Sequence, residues 1–356
     1  MAQLSPRAYV EVDLAAIDHN IKTAIGVAKK QNPLAQVLAV VKANAYGHGI
    51  IPVAQQAITS GATWLGVALL EEAIALREAG ITAPIISWLT PLGEDFEAAI
   101  KLDIDLAIPS IEIAQAIEAA AKKVGKKARV HLEIDTGMIR GGFLYKQGEF
   151  GQPWRDILSY LPTSELNVVG AWTHFASADE PEKETTAHQV VAFKKALSEL
   201  RATGISPEFI HLSNSAGTFG HSIPEANIYR LGISMYGLSP DVSNASISAA
   251  TSHIKPALSL YSQVHLVKKI KAGSHIGYGG VGVAQEDTFI AVLPIGYSDG
   301  LSRKNDMSVG AWVEGRVAPL IGRISMDQCV INLGPTTSVK AGEYLPLICI
   351  EGCNVD

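Results

Sequence analysis

Gln36-Val37-Leu38-Ala39-Val40-Val41-Lys42-Ala43-Asn44-Ala45-Tyr46-Gly47-His48-Gly49 is an apolar run of strand length that breaks on a lysine and then on glycines. A helical stretch follows it, and the same unit recurs along the chain. Upstream, Ala8 to Val12 reads as a short strand, Asp13 as an N-cap, and Leu14, Ile17, Ile21 and Ile25 fall on one face of the next helix. Downstream the runs are Trp64 to Ala68, Pro84 to Leu89, Asp103 to Ile108, Lys127 to Ile134, Val168 to His174, Phe209 to Ser213 and Asn227 to Leu231. With Gln36 to Val41 they make eight strands alternating with helices, the pattern of a closed parallel (β/α)8 TIM-type barrel. A doubly wound open sheet is the rival, but it calls for a Gly-x-Gly-x-x-Gly turn after an early strand, and none is present.

Beyond about residue 245 helical periodicity stops. Leu258 to Ile270, Phe289 to Leu293, Arg316 to Ile321, Cys329 to Leu333 and Tyr344 to Ile348 are strand-like and separated by turn residues. A C-terminal all-β domain is expected, with the Ser-rich stretch Asp241 to Ser252 as the link. The predicted domains are therefore 1–245 and 246–356, with the first strand, residues 7–12, assignable to either.

The chain has 356 residues, 47% of them hydrophobic and 18% charged, which suits a globular enzyme. Its net charge of −6, without long Lys/Arg runs, argues against a nucleic-acid binder. Three cysteines, Cys329, Cys349 and Cys353, lack zinc or redox spacing, so no metal site is expected. No apolar run approaches the roughly 18 residues of a membrane span, and no signal-like segment opens the chain. A cytoplasmic protein is expected.

The carboxyl ends of barrel strands hold the catalytic residues of this architecture. Lys42 ends the first strand, Trp88 is near the end of the third, Arg140 lies just beyond the fifth, His174 ends the sixth, Asn214 and Ser215 follow the seventh, and Arg230 lies on the eighth with Gly232 beyond it. A lysine leaving a buried strand is desolvated, which lowers its pKa and suits it to Schiff-base chemistry with an aldehyde. Pyridoxal phosphate is such an aldehyde. Its phosphate would find hydroxyls on Ser215 and Tyr46 and backbone N–H groups around Ser215, Gly232 and Ile233. A surface lysine, an N-cap serine and a satisfied core histidine are the plainer readings of Lys42, Ser215 and His174.

The chain resembles the bacterial alanine racemases over nearly its whole length. The resemblance is carried, in family order, by Val41 to Gly49, Asp135-Thr136-Gly137-Met138, Thr173-His174-Phe175-Ala176, Ser213-Asn214-Ser215-Ala216, Arg230-Leu231-Gly232-Ile233-Ser234-Met235-Tyr236-Gly237, Gly277-Tyr278-Gly279, Gly296-Tyr297-Ser298-Asp299-Gly300 and Gly322-Arg323-Ile324-Ser325-Met326-Asp327. It implies interconversion of L- and D-alanine, feeding peptidoglycan synthesis, by a homodimer using pyridoxal 5'-phosphate. Lys42 would carry the coenzyme and act as one base, and Tyr278, from the β domain, would serve the partner's barrel as the other. His174, tied to Arg230, would supply the cation that favours a Tyr278 phenolate. Arg230 would face the pyridine nitrogen and, keeping its own proton, leave that nitrogen unprotonated. Arg140 and the backbone of Met326 would hold the substrate carboxylate, with Asp327 orienting. Tyr297, Asp179, Arg303 and Arg323 would line the substrate entrance.

The chain also departs from the family. Glu133 stands where many members carry a carbamylated lysine, and as a ready-made anion it is expected to hold Arg140. Ile139 and Gly141 flank Arg140 where Gly and Leu are common, and the sequence ends at Asp356, ahead of the family's tail tyrosine. Serine or broad-specificity racemases and a barrel decarboxylase are the alternatives; the decarboxylase would want an acid at Arg230, and a non-catalytic coenzyme carrier would lack the β domain.

Overall fold

A computed structural model describes residues 6–303 and 309–348. The chain divides into two compact units, one of Leu14–Lys255 and one in which the residues up to Asp13 join those from Pro256 onward.

The larger unit contains eight parallel strands: β1 (Gln36–Val40), β2 (Trp64–Val67), β3 (Ile85–Ser87), β4 (Ile104–Ile108), β5 (Ala128–Asp135), β6 (Leu166–Trp172), β7 (Phe209–His211) and β8 (Ile228–Leu231). They pair in sequence order from β1 to β7, and β8 pairs with β1 through Tyr229 opposite Val37. Between β7 and β8 the join is made by Asn227 N–H to Ile210 C=O at 3.0 Å and Arg230 N–H to Ser213 C=O at 3.1 Å, so the barrel is closed. Leu38, Val40, Trp64, Ile86 and Ile228 pack together as an apolar cluster. A polar thread crosses the buried strands: Arg129 donates to Asp105 at 2.8 Å, His131 Nε2 meets Asp105 at 2.9 Å, and His131 Nδ1 meets His211 Nε2 at 2.9 Å.

Outside the strands, helix Leu14–Gln31 buries Ile17, Ile21, Ala24 and Ala28 at helical spacing. Its buried Asn20 donates to Met235 C=O at 3.0 Å and Lys255 C=O at 2.7 Å, fixing the helix to the segment that follows β8. Helix Ile111–Val124 shows both ends of the usual grammar, with Ser110 capping Ile113 N–H and Gly125 closing in a left-handed conformation. The Ser-rich stretch expected as a linker instead carries helix Ala245–Ala250. Asn244 caps it by accepting from Ser246 and Ile247 N–H, and its Ile247 is fully buried. Serine content concealed a capped helix.

In the second unit Ala8–Val12 pairs antiparallel with Leu258–Gln263, which pairs in turn with Tyr344–Ile348. Leu266–Ile270, Thr288–Leu293 and Cys329–Gly334 form another sheet. The single strand expected over Leu258 to Ile270 is thus two. The chain changes sheets between adjacent residues: Val264 N–H donates to Glu343 C=O, whereas His265 N–H donates to Val292 C=O. Val264, Ala291, Leu293, Ala311, Ile331 and Leu333 lie in the core. Cys329 is buried there, its thiol pushed up to about 12 by desolvation; Cys349 and Cys353 lie outside the described residues. Among the described residues no helix is long and apolar enough to cross a membrane.

Candidate active site

Strand β1 ends at Val40, two residues before Lys42, and the chain then does something costly. Ala43, Asn44, Ala45 and Tyr46 all take left-handed φ values between 52° and 54°. Each L-residue so placed costs about 1–2 kcal/mol, with asparagine the most tolerant. The turn survives because it is held from many sides. Ala45 N–H donates to Val41 C=O at 2.8 Å, Gly47 N–H to Ala43 C=O at 3.1 Å, and Asn44 Oδ1 accepts from Ile50 N–H at 2.9 Å. Within five residues it offers an amine at Lys42 and a phenol at Tyr46.

Both face one cavity of about 1050 Å3. Lys42, Tyr46, Trp88, Arg140, His174, Asn214, Ser215, Arg230, Gly232 and Ile233 all line it, so the structure brings together every residue expected from the barrel. Asp179 lines it as well. Tyr278 and Met326 belong to the other unit. There Tyr278 opens a short 3-10 turn between Gly277 and Gly279, both with positive φ, and is 66% exposed. Met326 is 53% exposed, and its carbonyl accepts from Ser298 N–H and Oγ. Arg303 lies over the Tyr297 ring in the same unit, 5.6 Å from its centroid.

One end of the cavity suits an anion. Asn214, not Ser215, caps helix Ser215–Gly220, accepting from Gly217 N–H at 2.8 Å. Ser215 is thereby freed to turn its hydroxyl toward β8, where it accepts from Gly232 N–H at 3.0 Å. A Cβ at Gly232 would come 3.0 Å from the Tyr46 hydroxyl and 3.9 Å from Ser215 Oγ. The glycine keeps open a space ringed by hydroxyls and N–H groups. Tyr46 is held there by packing against the tilted ring of Tyr236, centroids 4.6 Å apart, and Tyr236 donates to Val40 C=O at 2.9 Å.

At the other end Arg230 is 3% exposed. Its guanidinium donates to the carbonyls of His211 at 2.8 Å, Thr173 at 2.8 Å and Leu212 at 3.2 Å, and reaches His174 Nδ1 at 3.4 Å. Trp172 lies beneath it, 5.4 Å from the guanidinium carbon. Burial pushes the Arg230 pKa down to about 9, with Arg140 adding to the fall, which still leaves it protonated at neutral pH.

The same crowding of cations corrects one expectation. Burial, then Arg230, Arg140 and Lys42 in turn, push His174 down to about 3. His174 is therefore neutral and cannot be the cation expected of it; with Nδ1 accepting from Arg230, its remaining proton sits on Nε2. Lys42 is also lowered, by burial first and by Arg140 second, while Glu72 opposes the shift. An unprotonated amine is the form that attacks a carbonyl and accepts a proton.

Arg140 is exposed and leaves a loop whose backbone is organised by Asp135. That carboxylate accepts from Gly137, Ile139 and Arg140 N–H, each at 3.0 Å. Glu133 lies beneath the loop, close enough that a Cβ on Gly141 would be 2.9 Å from its Oε1. Gly141 is thus what admits a carboxylate here. Burial raises Glu133 to about 7, with Arg140 pulling the other way and Asp135 adding to the rise. Among the described residues no ion pair joins Glu133 to Arg140, so the anion expected at this position is only partly ionised near neutrality.

The barrel site therefore combines a lysine whose pKa is lowered by burial, an anion cradle and a protonated arginine on the walls of one cavity. Residues 12–240 match the family model described as alanine racemase, N-terminal domain, and residues 257–355 that described as alanine racemase, C-terminal domain. The chain belongs to the alanine racemase family. Among relatives of the family it is 38% identical to the alanine racemase of Beutenbergia cavernae over 94% of this chain and 86% of that one. The Methanococcus maripaludis alanine racemase is 36% identical over 97% and 89%. Among solved structures, the alanine racemase of D-cycloserine-producing Streptomyces lavendulae superposes with a TM-score of 0.88 at 34% identity, over 97% of this chain and 88% of that one. The Bacillus anthracis alanine racemase with bound L-Ala-P does so with a TM-score of 0.83 at 34% identity, over 99% and 88%.

Trp172, Tyr236 and Glu72 were not among the expected site residues. Trp172 and Tyr236 are large buried side chains whose place beside Arg230 and Tyr46 depends on barrel closure. Glu72 carried a local signal, three residues into a helix turn, that reads first as capping.

Proposed function

We propose that the chain, an isomerase of its family, interconverts L- and D-alanine with pyridoxal 5'-phosphate carried on Lys42. One observation carries the reading: the amine of Lys42, the cradle of Ser215, Gly232 and Tyr46, and the guanidinium of Arg230 share one cavity. The space that a Cβ at Gly232 would fill, bordered by two hydroxyls, fits a phosphate. Lys42 would hold the aldehyde, Tyr46, Asn214, Ser215, Gly232 and Ile233 the phosphate end, Arg230 the ring nitrogen, and Arg140 the phenolic oxygen. When bound, the coenzyme would supply the electron withdrawal that acidifies the substrate's Cα–H.

The chain's own residues divide the rest of the work. Lys42, its pKa lowered by burial and by Arg140, takes a proton at one face of Cα. Inversion needs a second acid on the opposite face, and we assign it to Tyr278, acting on the barrel of a second copy of the chain. Its exposure on its own unit leaves the hydroxyl available for that use. Arg140 and the Met326 backbone orient the substrate carboxylate. Neutral His174 presents Nε2–H while its Nδ1 is occupied by Arg230. Arg230, holding its proton, restrains electron withdrawal and so favours return of the proton to Cα over loss of the amino group.

The test is racemisation of L-alanine and L-serine by the purified protein, with borohydride trapping of the coenzyme and mass mapping of the modified lysine. Turnover of L-alanine with label on Lys42 is expected. Label on another lysine would overturn the site assignment, and preference for L-serine would overturn the substrate.

A further inference from the structure

Glu72 is the third residue of helix Leu70–Glu78, and one of its oxygens does what that position usually does. Oε2 accepts from Ala68 N–H at 2.9 Å and Leu69 N–H at 3.0 Å. The other oxygen leaves the helix altogether. Oε1 accepts from Ala43 N–H at 2.5 Å, across 29 residues of sequence. Capping explains the first oxygen and not the second.

Ala43 N–H belongs to the peptide that joins Lys42 to the left-handed turn. That peptide sits where the chain passes from strand β1 into four residues of unfavourable backbone, so its plane sets where the lysine side chain starts and where Tyr46 ends. We infer that Glu72 is a positioning residue for Lys42, clamping the Lys42–Ala43 peptide to the end of β2 and holding the turn against its own strain. A charge-assisted bond to a backbone N–H is strong enough for this. The same carboxylate is the one anion that counters burial and Arg140 at the Lys42 amine, with His174 neutral nearby. Glu72 touches neither coenzyme nor substrate in this role, which rests on Lys42 being the coenzyme's attachment point.

Glu72→Gln separates the two oxygens. Its single carbonyl oxygen satisfies the two N–H groups of the helix start, which leaves the amide NH2 facing Ala43 N–H, donor against donor. Capping survives and the clamp is lost. In coenzyme-free full-length protein, pulsed acetylation across pH with mass mapping should show the Lys42 amine titrating at lower pH than in the parent. Absorbance titration should show pyridoxal phosphate binding about tenfold weaker, while Tm stays within about 2 °C. Glu72→Ala, which removes both functions, should lower Tm as well. Unaltered Lys42 titration in Glu72→Gln, or a loss of coenzyme binding accompanied by the same Tm fall as in Glu72→Ala, overturns the inference. If the parent took up no pyridoxal phosphate the functional reading would fail, and the Lys42 titration would still decide the clamp.

Discussion

Arg230 donates to His174 Nδ1 at 3.4 Å with the same nitrogen, Nη2, that serves the carbonyls of Thr173 and Leu212. The contact sets the imidazole tautomer, and it places a permanent charge against a ring that is pushed down to about 3. Arginine and histidine thus form one charged and one neutral group, in a pocket too crowded with cations for two charges.

The network makes Arg230 expensive to remove. Arg230→Met keeps the volume but takes the donor from the buried carbonyls of Thr173 and Leu212, at about 1–3 kcal/mol each, while the His211 carbonyl keeps Thr173 N–H. Loss of more than about 3 kcal/mol in urea unfolding is expected. A loss under 1 kcal/mol would mean that water takes over the carbonyls, contrary to the packing around Trp172.

Two groups give the stability opposite pH slopes. His174 titrates near 6.5 when unfolded and about 3 when folded, so between those values the unfolded chain binds the extra proton and stability falls as pH drops. Glu133 moves from 4.5 to about 7, so the folded chain holds the extra proton and stability falls as pH rises through that window. Each slope approaches about 1.4 kcal/mol per pH unit at most. They oppose each other between pH 4.5 and 6.5. Buried His211 and half-buried His48, both lowered by desolvation, add to the His174 slope, so the test is the difference from the parent: across that window urea midpoints relative to the parent should fall with rising pH in His174→Gln and rise with it in Glu133→Gln.

Glu133 should also appear in the rate. If its ionised form orients Arg140, kcat/KM for L-alanine rises through a step near pH 7. Glu133→Gln removes that step and lowers the rate at pH 8 by roughly tenfold, the value of one charge interaction of about 1.4 kcal/mol. A parent profile without the step, or one retained in the variant, removes Glu133 from the mechanism.

The barrel was legible because its eight strands are continuous apolar runs with helices between them, and register errors of a residue or two do not alter the count. The site residues were legible as far as they sit at strand ends: Lys42, His174 and Arg230 follow directly from topology. What was hidden depends on geometry that no local pattern encodes. The left-handed φ of Ala43 to Tyr46 is carried by ordinary residues without a glycine among them, and the neutrality of His174 arises from its burial and from charges brought in by Arg230 on β8, Arg140 in the loop after β5 and Lys42 after β1. The helix Ala245–Ala250 was hidden for a simpler reason, since its one fully buried anchor, Ile247, is too little to show periodicity.

Ile139 occupies a left-handed position, φ 56°, and is 75% exposed. A β-branched residue there carries about 1–2 kcal/mol of strain. Glycine relieves it, but its freedom in the unfolded chain costs about 0.5–1 kcal/mol. The strain is the larger, so Ile139→Gly should stabilise the protein by about 0.5–1 kcal/mol in urea unfolding. Destabilisation would show that the exposed isoleucine makes a contact in the assembled protein.

If Tyr278 serves the barrel of a second copy, two inactive variants should repair each other. Lys42→Ala and Tyr278→Phe each lack one base and should be inactive alone. In a mixed dimer one site collects both defects, while the other combines the intact Lys42 of one chain with the intact Tyr278 of the other. Random exchange makes half the dimers mixed, so co-refolding equal amounts should restore about a quarter of the parent's activity. Tyr278→Phe alone should still exchange the Cα hydrogen of one alanine enantiomer with deuterium from solvent, because Lys42 keeps its face; proton NMR would follow this. No recovery on mixing, with both variants folded and dimeric by light scattering, would place both bases on a single chain and end the shared-site reading.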